Sequence, residues 1–132
     1  MKVILNKCFG GFGFSHEATM MYAKEKGFEL YAYGHNSPDN YFRINNPDDA
    51  FLHYYFKKDF GEFPKEINWD EYFRLDGEYR EDPVAVAIVE KLGDKASGRF
   101  SKLVVVDIPD GMKYVIDDYD GVETLHEEVR VW

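Results

Sequence analysis

"LVVVDIPDGMKYVIDDYDGVETLHEE", residues 103 to 128, decides the fold class. Leu103 to Ile108 is β-branched and nearly continuous, and Pro109-Asp110-Gly111 stops it, which is the pattern of a strand buried on both faces. Two alternating runs follow, Tyr114 to Tyr119 and Val122 to Glu127. They flank Asp120-Gly121, the dipeptide that suits a two-residue hairpin turn. Val3-Ile4-Leu5 is a second short apolar run, so residues 2 to 8 read as an interior strand and a neighbour of 103 to 108.

Helix signals lie between these strands. Ser15 as cap, Glu17 in the first turn, Ala18, Met21 and Tyr22 at helical spacing and Gly27 as stop predict a helix from His16 to Lys26. Phe28 to Tyr33 alternates and predicts a strand. Asn46-Pro47-Asp48-Asp49 joins a cap, a proline and two acids, and with Gly61 as its stop it predicts a second helix over Pro47 to Phe60. Tyr72 to Leu75 predicts a short edge strand. Asp82-Pro83 repeats the cap and proline, and Ala85, Ile88, Val89 and Leu92 mark one face of a third helix ending at Gly93. The expected whole is a single α+β (mixed α/β) domain over residues 1 to 132. It has a central mixed sheet of about five or six strands, about three helices, and a C-terminal β-hairpin followed by Trp132.

A chain of 132 residues sustains a core without disulfides, and its lone cysteine, Cys8, excludes a disulfide framework and fits a reducing compartment. The first apolar run is too short for a signal peptide, and no span approaches the ~20 apolar residues of a membrane helix. A cytoplasmic protein with no membrane partner is expected. Net charge is -9, from 25 acidic against 16 basic side chains, which argues against direct contact with nucleic acid. The excess concentrates late in the chain, where Asp117, Asp118, Asp120, Glu123, Glu127 and Glu128 are candidate partner-binding acids. With 11 Phe, 10 Tyr and 2 Trp, aromatics are abundant enough to furnish a binding surface beside them.

"NKCFGGFGFS", residues 6 to 15, is the other candidate site. A flexible strand-to-helix corner at Gly10, Gly11 and Gly13, ending at Ser15, aims backbone N–H groups and a helix dipole at one place, which suits an anion. Arg80 or Arg99 could assist there in holding a nucleotide-like ligand. The third glycine of the dinucleotide fingerprint and the lysine of a phosphate loop are both missing. Cys8 is a candidate nucleophile, with His16, His35, His53 or His126 as its base, which would make the chain a hydrolase. A buried cysteine at a strand end is the commoner case. No metal site or cofactor is expected: neither His16-Glu17 nor His126-Glu127 has a zincin's second histidine. Ile116 falls on the first ligand position of the calcium-loop-like run ending at Glu127.

"NKCFGGFGFS", "DPVAVAIVEKLGDKASGRF" and the C-terminal run through "YDGVE" to "RVW" together resemble a family of small proteins encoded in tailed-phage genomes. The matching positions are Asn6, Cys8, Gly10, Gly11, Gly13, Ser15, Asp82, Pro83, Ala96, Ser97, Gly98, Asp120, Gly121 and Trp132. The family brings no catalytic residues. The resemblance implies a small accessory protein acting in the host cytoplasm, binding and inhibiting a host or anti-phage defence protein through an acidic, aromatic-rich surface.

Overall fold

The computed structural model describes residues 1–37 and 40–129; Arg130 and Trp132 lie outside them. The elements run β1 (Lys2–Asn6), α1 (His16–Lys26), β2 (Tyr31–Ser37), β3 (Asn40–Arg43), β4 (Tyr54–Phe56) and β5 (Tyr72–Phe73). They continue with α2 (Pro83–Leu92), β6 (Leu103–Asp107), β7 (Tyr114–Tyr119) and β8 (Val122–Glu127). The class is α+β. The strands form three small antiparallel sheets, β1-β6, β3-β2-β4-β5 and β7-β8, instead of one central mixed sheet. The chain folds as two compact units, Met1–Tyr22 with Leu75–Trp132, and Ala23–Arg74.

In the first unit β1 and β6 pair antiparallel in the register Lys2↔Asp107 to Asn6↔Leu103. Val3, Ile4 and Leu5 are buried on both faces, each stabilising the fold by roughly 1.5–3 kcal/mol. Helix α2 lies against both strands and buries Ala85, Val86, Ile88 and Val89. Its cap is the expected one: Asp82 Oδ1 accepts from the N–H groups of Val84 and Ala85, with Pro83 in the first turn. Asp82 Oδ2 accepts from the Tyr22 hydroxyl at 2.9 Å. Burial first, and Asp82 second, push the Tyr22 pKa well above its usual range, so the phenol keeps the proton it donates.

The hairpin β7-β8 matches the expected register, Tyr114↔Glu127 to Tyr119↔Val122. Asp120 (φ 49°) and Gly121 (φ 93°) both lie in the left-handed region, as a type I′ turn requires.

In the second unit the expected helix over Pro47 to Phe60 is absent. Asn46 does accept from Asp48 N–H, and the Asp49 carboxylate accepts in return from Asn46 N–H, but the turn they cap is a 3₁₀ turn, Pro47–Asp49. Ala50 is extended, the chain bends at Phe51 and Leu52, and Tyr54, Tyr55 and Phe56 then pair with Tyr33, Ala32 and Tyr31. A run of aromatic residues fits a pleated, half-buried surface better than a helix. Two α-helices, not three, are therefore present among the described residues. Tyr33 and Phe56, both fully buried, anchor this unit's core.

Candidate functional site

Described parts of the three stretches that carry the resemblance, far apart in sequence, meet in the first unit along residues 6 to 15, which begin at Asn6. This asparagine is fully buried, and its side chain uses its full bonding capacity. Nδ2 donates to Cys8 O (2.8 Å) and Gly121 O (2.6 Å), while Oδ1 accepts from the N–H groups of Lys102 (2.8 Å) and Cys8 (3.3 Å). One side chain thus ties the end of β1 to the start of β6 and to the hairpin turn.

The glycine corner is held between the other two stretches. Gly10 N–H donates to Asp120 O at 3.0 Å. A Cβ on Gly121 would sit 2.3 Å from Gly11 N, so only glycine permits this approach. On the other side Gly98 N–H donates to Gly13 O, Ser15 N–H to Ala96 O, and Phe14 bridges Ser97. The Ser15 hydroxyl donates to Lys95 O and accepts from Ala18 N–H, capping α1 as expected.

Beneath the corner lies a buried ion pair. Glu123 was expected among the solvent-facing acids, and the structure corrects this: its side chain is 4 % exposed. Arg80 donates to both Glu123 oxygens through Nη1 and Nη2. Glu123 Oε1 also accepts from Asn6 N–H at 2.7 Å. The second donor bond of Arg80 Nη1 goes to Ile4 O, and the guanidinium stands 4.4 Å over the Phe12 ring. The arginine expected to reach a ligand already has these partners.

The remaining acids do not share one face. Cross-strand register places Asp118 and Glu127 on the side of the hairpin that carries Glu123, and Asp117 on the other; Asp120 is in the turn and Glu128 follows β8. All five are exposed. Asp118 Oδ1 accepts from Gly121 N–H. Asp117 Oδ2 pairs with His126 Nε2 at 2.6 Å, and that hydrogen bond, followed by one to Glu127 O, raises the His126 pKa above its ordinary value.

Cys8 is half-buried, and its thiol donates to Phe9 O. His35 and His53 belong to the second unit, and His126 is paired with Asp117. Arg99 is exposed in the segment beside Gly98. No group of three His, Cys, Asp or Glu side chains among the described residues is placed to hold a metal ion. No described helix is long and apolar enough to cross a membrane.

Phe9, Phe100 and Tyr119, none of them assigned to a binding surface from the sequence, are 65 %, 58 % and 74 % exposed. The backbone brings them to one area. Gly10, next to Phe9, packs on Phe100 and bonds to Asp120, next to Tyr119. Their only sequence signal was the excess of aromatics. No protein-family model, curated protein or solved structure matches the chain.

Proposed function

We infer that this protein works by binding another protein, through the aromatic and acidic surface formed where the glycine corner meets the hairpin turn. The observation that carries this reading is the exposure of Phe9, Phe100 and Tyr119 on three segments locked together by Gly10 and Gly121, with the exposed Asp117 on the Tyr119 face of the hairpin and the exposed Asp120 in its turn. Large rings held on a rigid backbone lose little entropy on binding, and acids around them favour a basic partner. The resemblance to phage-encoded accessory proteins adds the proposed setting: a host or defence protein as target, with inhibition as the outcome.

The test uses two variants of the full chain, with capture from host-cell extract and the partner then purified. One replaces Phe9, Phe100 and Tyr119 with serine. The other carries Asp117→Asn, Asp118→Asn, Asp120→Asn, Glu127→Gln and Glu128→Gln, and leaves Glu123 intact because it belongs to the core. The serine variant is expected to abolish capture. The charge variant is expected to slow association and flatten its salt dependence. Capture that survives both variants unchanged would overturn the reading.

A further inference from the structure

The second unit carries a different feature, on the sheet β3-β2-β4-β5. Register puts His35, Tyr41, Tyr54, Phe56 and Tyr72 on one face, and the 3₁₀ turn Trp69–Glu71 lays Trp69 beside them. The rings of Tyr41, Tyr54 and Trp69 form a triangle with every centroid pair 6.1 Å apart and planes inclined at 73° to 89°. Planes that cross near right angles make a corner whose walls face different ways. A single point can lie within about 6 Å of all three centroids, the range over which a ring's quadrupole attracts a cation.

The shape and the charge both select the occupant. A nucleobase or a sugar stacks on one flat face or between parallel faces, whereas a compact cation has no such requirement. Trp69 is 49 % exposed and Tyr41 and Tyr54 are half-buried, so part of the ring cluster faces solvent. Asp70 and Glu71 follow it in the same turn, in a chain of net charge -9. Arg43, the cation on β3, pairs with Asp59 and stands over Tyr31 and Tyr33 instead. His35 borders the corner, its ring 5.4 Å from Tyr41 and 5.3 Å from Tyr54, with Nε2 3.2 Å from the Tyr54 hydroxyl.

We propose that Tyr41, Tyr54 and Trp69 form a cage for the methylated ammonium group of a modified lysine side chain. Methylation suits the cage because it removes N–H groups that would need hydrogen-bond acceptors and enlarges the cation to touch several rings. A choline phosphate offers the same trimethylammonium group but brings an anion toward Asp70 and Glu71, so the lysine source is favoured.

The experiment follows Trp69 emission in the full chain carrying Trp132→Phe, which leaves one indole. The probes are Nε-trimethyllysine, its uncharged carbon isostere and phosphocholine. Trimethyllysine is expected to give a saturable change near millimolar concentration, with the isostere about tenfold weaker and phosphocholine weaker as well. Tyr54→Phe should keep the response, because the ring and not the hydroxyl forms the wall, and Tyr41→Leu should lose it. Equal binding of the isostere, tighter binding of phosphocholine, or no saturable response would overturn the proposal. The probes do not touch the glycine corner, so failure here leaves the protein-binding reading of the first unit standing.

Discussion

Asn6, Arg80 and Glu123 show how single polar side chains can hold the core of the first unit together. Burying a carboxylate is costly unless its charge and lone pairs are met, and here Arg80 and Asn6 N–H meet them. Removing one partner leaves the other charge stranded, while removing both charges together does not. Arg80→Met is therefore expected to cost about 3–5 kcal/mol in urea unfolding. Adding Glu123→Gln should restore much of that loss, since the amide oxygen still accepts from Asn6 N–H. A double variant no more stable than Arg80→Met would show that the stranded charge is not what destabilises it. The sequence reveals these residues without their roles. Arg80 reads as a loop arginine and Asn6 as the polar end of a strand, and period-2 alternation groups Glu123 with Asp118 and Glu127. Which end of that hairpin face becomes buried depends on β1, more than a hundred residues away, and no local pattern encodes it.

Elements were legible where their signals are local. Helices α1 and α2 and the hairpin β7-β8 each carry their own caps or turn residues within a few positions, and they fall where the sequence places them. Residues 47 to 60 show the limit of that reasoning. Their cap is real, but a cap starts a helix and does not sustain one, and the pairing of Tyr54 to Phe56 with β2 prevails. In α2 cap and helix agree. Asp82→Ala removes the acceptor for Val84 and Ala85 N–H and also the partner of the Tyr22 hydroxyl. A loss of about 1–2 kcal/mol is expected in thermal or urea unfolding, larger than for Tyr22→Phe, which removes only the second contact. Equal losses in the two variants would place the stabilisation in the tyrosine contact and not in the cap.

For the molecule as a whole, the charge imbalance and the buried ion pair respond to salt differently. A net charge of -9 repels itself across the surface, and this repulsion weakens when the Debye length falls to about 10 Å or less. Against it stand exposed pairs such as Lys2 with Glu90 at 2.8 Å and His126 with Asp117, which contribute little and are also weakened by salt. Arg80 and Glu123, largely removed from water, are screened much less. Because acidic side chains outnumber basic ones by 25 to 16, repulsion should dominate, and raising sodium chloride from about 0.05 to 0.5 M is expected to raise the Tm by a few degrees. The variant with the five exposed C-terminal acids neutralised should start from a higher Tm and gain less from added salt. A Tm that falls with salt in the native chain would mean that the exposed pairs outweigh the surplus charge, and the acids would then be bound into the fold and not held ready for a basic partner.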